Sequence, residues 1–269
     1  MLSFFLPDSS SLSLKRANVG IFIVLALLFA SLLRTPTVKA EQDTQASSNI
    51  HFIAHDNDEA RVDLALKSAI EQGKLLLLVL GAQWCHDSRG FADKIEMPAL
   101  APVILEKYEL LFVDLGNYND KREITRRFGY PIFFGTPTVM IIDPSSEALL
   151  NLDSLQIFNN ADSLPVEDYV SYFANFEAQD FDSEAMKVSK NALDQFEEEQ
   201  AERLMKAYIR LRPLMEAEDE GRLEDKEAFY SLWGEVRDFR FALQKDIHAL
   251  RMGELDTIPS YEAFSWEVK

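Results

Sequence analysis

Residues 74–80 read Lys-Leu-Leu-Leu-Leu-Val-Leu, an apolar run of strand length with no polar alternation. A strand with one wet face alternates polar and apolar side chains. An unbroken run instead calls for burial on both faces, as in the central strand of a layered α/β domain. The flanking pattern agrees. Asn57 or Asp58 can cap a helix through Gln72, with Ala60, Leu64, Leu66, Ala69 and Ile70 as its apolar face, and Gly73 stops it. After the run come a polar turn at 81–90 and a helix broken by Pro98 and Pro102. Further strands are predicted at 51–54, 108–115, 137–142 and 149–152, the last two joined by the turn Asp143-Pro144-Ser145-Ser146. Helices are predicted at 121–128 and 166–176. This alternation describes an α/β layer domain with a mostly parallel sheet.

Just beyond the apolar run stands Cys85, the one cysteine among 269 residues. A lone thiol excludes a disulfide within the chain and any cysteine-rich metal cluster. Its place, after a buried strand and at a helix start, puts free backbone N–H groups and the helix dipole beside it. A cysteine in that position tends towards the nucleophilic thiolate. Its neighbours Gln83, Trp84, His86, Asp87, Ser88 and Arg89 are mostly polar, which is odd for a packed thiol. The plainer alternative is a buried structural cysteine, since free cysteines are among the most buried side chains. A charged His86 and an ionised Asp87 act on the thiol in opposite directions, so the residues alone leave the net sign open.

Trp84-Cys85-His86-Asp87-Ser88 after the strand, and Gly135-Thr136-Pro137-Thr138 before Val139-Met140-Ile141-Ile142, resemble the thioredoxin superfamily. Val113-Asp114 and Arg127-Phe128-Gly129 resemble the segment linking those two sites in that family. The likeness covers roughly residues 50–178 and is closest to exported members with a proline-broken helix after the cysteine. It implies a central mixed sheet flanked by helices and a cis Thr136–Pro137 bond. Cys85 would be the attacking cysteine, with Thr136 and Pro137 facing it to hold an extended substrate. Trp84 would be either a contact surface or simple packing.

Three departures shape the expected chemistry. Ser88 stands where a resolving cysteine would sit, a Cys-x-x-Ser motif, so Cys85 could form only a mixed disulfide that an outside thiol resolves. Ser88 itself would either donate a hydrogen bond to the thiolate or cap the helix. The strand before the cysteine lacks an acid, leaving His86 and Asp87 as the adjacent proton carriers. Tyr130-Pro131-Ile132-Phe133-Phe134 lengthens the segment before Gly135, either as a client-binding lip or as local core.

The ends of the chain read differently. Lys15 and Arg16 precede an apolar run at 21–33, too short to span a bilayer, and Val38-Lys39-Ala40 offers a cleavage site. Residues 1–40 therefore read as a signal peptide, with an uncleaved signal anchor as the alternative, and 41–49 as a linker. The expected location is exported and periplasmic, with no stable membrane insertion once the leader is gone. The formal net charge is -18; without the leader 23 basic and 44 acidic side chains remain, a net of -21. Such a balance disfavours nucleic acid, because phosphate contacts need clustered Lys and Arg. Residues 179–269 read as an acidic α-helical region. Met186, Leu193, Phe196, Leu204, Tyr208 and Leu211 mark a helix ending near Pro213. Phe229, Trp233, Val236, Leu243, Ile247 and Leu250 mark a second, beyond a charged turn at 216–221. The region is either a solvated face with a core stripe or a partner-binding arm over 183–252.

No metal or cofactor is expected. His51 and His55 would lie about 13 Å apart on a strand, too far to share an ion, and no phosphate loop, nucleophile elbow or paired-histidine zinc helix occurs. Two functions remain. One is thiol–disulfide exchange through a single cysteine, with catalytic roles for Cys85, Ser88 and His86, and protein thiols, protein disulfides or a small thiol as partners. The other is a redox-inactive module that holds extended segments beside Pro137.

Overall fold

The computed structural model describes residues 51–178 and 186–268. The leader, the linker and the boundary between the two regions at 179–185 lie outside the described residues.

The apolar run forms β1 (Leu75–Gly81), the centre of a three-stranded sheet. It pairs in parallel with β2 (Tyr108–Asp114) and antiparallel with β3 (Thr138–Ile142). The sheet is thus the mixed one that the resemblance implies, rather than the mostly parallel one expected from the alternation of elements. The two faces of β1 serve two cores. Leu77 and Val79 pack among α2 (His86–Ile95), α3 (Ala101–Lys107) and α5 (Val166–Ala174), with Phe91, Ile104, Tyr169 and Phe173 as the main neighbours. Leu76, Leu78 and Leu80 face the other way, into a core shared with α1 (Asp58–Gln72), α6 (Lys190–Asp219) and α7 (Lys226–Arg251). The short helix α4 (Arg122–Arg127) follows β2, and a 3-10 helix spans Leu155–Asn160.

Several local expectations are corrected. Residues 51–54 form no strand, yet Phe52 is buried with its ring edge-on to Phe112. The buried face of α1 is Asp58, Val62, Ala65, Leu66 and Ala69, whereas Ala60, Leu64 and Ile70 are exposed. That stripe has the expected helical period but is rotated, and its first member, buried Asp58, holds Arg61 and Lys121 at 2.7 Å each. Residues 149–152 make only a bridge from Leu149 to Ile142. Buried Asn151 replaces the ladder there: its Oδ1 accepts from the Ile141 N–H and its Nδ2 donates to the Val139 carbonyl. A side-chain amide that copies the peptide pattern satisfies β3's outer edge without a fourth strand.

The acidic helices are also longer than expected. α6 passes through Pro213 and ends at Asp219, so the charged turn begins later. Proline removes one N–H from the helix ladder. Here Pro213 and Ile209, whose carbonyl loses that donor, are both exposed to water. Leu211 and Met215 on the opposite face are buried and hold the helix against the core. The apolar stripe of α6 and α7 is therefore taken up by the protein's own core. Among the described residues no helix is long and apolar enough to cross a membrane.

Candidate functional site

Cys85 is the N-cap of α2, in extended backbone, after a short turn that follows the end of β1 at Gly81. It is 8% exposed. Its Sγ–H donates to the Thr136 carbonyl at 3.2 Å. The Thr136–Pro137 bond is cis, and residues 135–137 are all buried. The folding of β1 against β3 in antiparallel register, with Leu80 opposite Thr138, is what brings this loop to the cysteine.

The other expected site residues fall as follows. Ser88 is fully buried, and its Oγ accepts the Ala82 N–H at 3.3 Å. It lies inside α2 rather than at its start, so it ties the helix to the end of β1 instead of capping it. His86 is exposed (70% of its side chain), with Nε2 3.1 Å from Asp87. Asp87 is buried and also accepts the Asp162 N–H at 3.0 Å. Trp84 is half-buried, donates to the Gly116 carbonyl at 2.7 Å, and meets Tyr118 and Trp233 edge-on. Among the described residues no group of three His, Cys, Asp or Glu side chains could hold a metal ion.

The aromatic insertion is core. Tyr130, Ile132, Phe133 and Phe134 are buried. Phe133, Tyr208 and Tyr118 stack in parallel, with centroids 5.0 and 4.3 Å apart. Tyr118 adopts a left-handed backbone (φ 60), a conformation costing about 1–3 kcal/mol for such a residue and sustained by its surroundings. Burial pushes its phenol above the ordinary range, against the opposing pull of Arg240, so the ring stays uncharged.

Arg240, from α7, is the site residue that sequence reasoning missed. It is buried and donates to the Phe134 carbonyl (2.8 Å), the Tyr118 hydroxyl (2.7 Å) and Thr136 Oγ1 (3.0 Å). The residue that offers its carbonyl to Cys85 is thus held from behind by a guanidinium. A signal existed: Arg240 lies four residues after Val236 and three before Leu243, on the apolar stripe of its helix. Asp114, in register with Gly81, supplies a partly buried acid on the neighbouring strand rather than on β1. Burial pushes its carboxyl up, while the Gly116 N–H and Lys121 work the other way.

Residues 57–144 match a family model described as thioredoxin-like. The domain is thioredoxin-like. Among solved structures, a disulphide isomerase from Xylella fastidiosa Temecula1 is similar at 25% identity, over 47% of this chain and 95% of its own length, with a TM-score of 0.43. No curated protein matches the chain.

Within the thioredoxin-like domain, α2 is fastened to the loop after the 3-10 helix. Lys94 Nζ donates to the carbonyls of Ala161 (3.0 Å) and Asp162 (2.7 Å), and Asp87 takes the Asp162 N–H. Gly90 makes this approach possible, since a Cβ there would lie 2.7 Å from the Asp162 Cα. Gly90→Ala is expected to destabilise the protein by about 1–2 kcal/mol, overpacking outweighing the gain in helix propensity. The urea midpoint measures this, and a raised midpoint would mean that the loop yields freely.

Proposed function

We propose that the protein exchanges disulfides with partner proteins, with Cys85 as the sole nucleophile. The observation that carries this reading is the Cys85 sulfur at the start of α2, 3.2 Å from the Thr136 carbonyl of the cis-proline loop. In the first step the deprotonated sulfur attacks one sulfur of a partner disulfide. A Cys85–partner S–S bond forms, the partner's own S–S bond breaks, and the second partner sulfur leaves as a thiolate that takes up a proton. Exposed His86 is the adjacent group to carry the Cys85 proton to solvent, with Asp87 beside it. Trp84, Thr136 and Pro137 line the approach of the partner segment. Ser88 offers no second sulfur and its Oγ is engaged with Ala82, so an outside thiol must attack the mixed disulfide and return Cys85 to its free form. The chain acts as a monothiol oxidoreductase or isomerase. The leader read in residues 1–40 would deliver it to an exported compartment, where protein disulfides persist.

The test is to trap mixed disulfides in the exported fraction by acid quenching and alkylation. Wild type is expected to yield adducts that a reductant releases, and Cys85→Ser none. Absence of Cys85-dependent adducts, with partner binding retained in Cys85→Ser, would establish the binding-module reading instead.

A further inference from the structure

Trp84 forms one wall of a cleft that the thioredoxin-like domain does not build alone. Phe229, Tyr230 and Trp233 of α7 supply the others, around a space of about 230 Å³. The planes of Trp84 and Trp233 cross at 76° with centroids 5.4 Å apart, and those of Phe229 and Trp233 at 62° and 5.8 Å. Both pairs are edge-to-face contacts, which leave ring faces as well as edges turned to the cleft.

Met215 and two carboxylates, Glu218 and Asp219, all from the end of α6, complete the lining. Glu218 Oε1 accepts from the Tyr230 hydroxyl (3.2 Å) and from Lys226 Nζ (3.3 Å). Its Oε2 is buried and has no hydrogen-bond partner. Lys226 is 64% exposed, a surface contact that holds its partner weakly. Asp219 accepts from Asn117 Nδ2 at 3.2 Å.

The chemistry of the lining selects its occupant. Aromatic faces present negative charge density and attract ammonium and guanidinium groups. A neutral apolar side chain would fill the space but gain nothing from the charges of Glu218 and Asp219, whereas a cation on an alkyl stem is attracted by both the rings and the carboxylates. A carboxylate side chain would face two like charges. The chain as a whole is strongly acidic, with a net of -18, and steers basic segments towards itself. Trp84, which walls the cleft, is the residue next to Cys85, their Cα atoms about 3.8 Å apart.

We propose that this cleft binds a lysine or arginine side chain of the partner segment whose cysteine exchanges with Cys85. Its role as a substrate subsite rests on the exchange reading above; its preference for cations does not.

Two measurements separate these. The first uses the Cys85→Ser protein and blocked, cysteine-free peptides of one sequence in which a single position is lysine, arginine, norleucine or glutamate. The indole N–H signals of Trp84 and Trp233 report binding by nuclear magnetic resonance. The lysine and arginine peptides are expected to bind about five- to tenfold more tightly than the norleucine peptide, and the gap to narrow as salt rises. Glu218→Gln, which keeps the shape, and Tyr230→Ala, at a position already 56% exposed, are each expected to remove most of the discrimination. The second follows mixed-disulfide formation by wild type with the same sequences carrying an activated cysteine, where the cationic peptides are expected to react faster by a similar factor. Equal binding of lysine and norleucine peptides, or discrimination that survives both substitutions, overturns the proposal even if exchange at Cys85 proceeds. Cationic preference in the first measurement with no exchange in the second upholds the cleft and overturns the exchange reading.

Discussion

Arg240→Met is expected to lower the stability of the protein by about 1–3 kcal/mol, because it removes three buried hydrogen bonds and takes the Arg240 donor from the Phe134 carbonyl, while the Tyr118 and Thr136 hydroxyls keep each other. The three acceptors are the Phe134 carbonyl, the Tyr118 hydroxyl and Thr136 Oγ1. All three are uncharged, so the guanidinium is held by hydrogen bonds and by the Tyr118 ring, whose centroid lies 5.6 Å away, rather than by an opposing carboxylate. Removing the cation relieves its own desolvation, which keeps the loss below that of a broken buried ion pair. Arg240→Lys should recover only part of the loss, since one ammonium on a flexible stem cannot match a rigid fork aimed at three separate oxygens. Urea unfolding of the three proteins measures this. A methionine variant as stable as wild type would show that water or the loop itself replaces the donors. The same variants carry a functional readout: with Thr136 released from behind, mixed-disulfide formation at Cys85 should slow in Arg240→Met more than in Arg240→Lys.

The second large effect concerns the seam between α6 and α7. Arg251 donates twice to the Glu197 carboxylate, at 2.8 Å each, and both side chains are buried. Arg251→Met would strand a buried carboxylate, at a cost of about 3–5 kcal/mol near neutral pH. The pH dependence follows from the direction of the Glu197 shift. Burial raises its carboxyl above the ordinary value of 4.5, with Arg251 opposing that rise. The native state therefore keeps the proton to higher pH than the unfolded chain does. The resulting contribution to stability is full below the unfolded value and is lost as pH rises through the folded one. Without Arg251 the folded value climbs further, so the penalty of the substitution should be largest at neutral pH and shrink as pH falls towards 4.5. Denaturant midpoints for wild type and Arg251→Met at several pH values test this. A penalty independent of pH would mean that Glu197 stays ionised through another partner or through entering water.

What could be read from the chain differs by the range of the interaction involved. Residues 74–80 announced a central strand because burial on both faces leaves no polar position, and Gly73 stopped α1 because its backbone is left-handed there (φ 66). The strand expected at 149–152 does not form, for the opposite reason. Its pattern was right, but Asn151 makes the edge contacts through its side chain, and no period reveals that. Pro213 marks a helix end by a local rule, which burial of Leu211 and Met215 overrides. The pattern of Tyr130-Pro131-Ile132-Phe133-Phe134 allows both lip and core, and what decides for core is remote: Tyr208, 75 residues beyond Phe133, donates to the Phe133 carbonyl.

The sequence by itself determined the thioredoxin-like domain, the position of Cys85 at the head of α2, and the lack of a second sulfur. The first follows from the resemblance of Trp84–Ser88 and Gly135–Thr138 to the family's motifs, the second from helix-start chemistry and the third from counting. Only the tertiary structure decided what surrounds the thiol. Arg240 behind Thr136, Trp233 against Trp84 and the carboxylates of α6 all come from a region with no counterpart in the thioredoxin pattern. Charge and aromatic contacts at separations of 100 residues or more depend on how helices dock on a sheet. A helical period tells which face of α7 is buried, but not which loop that face will meet.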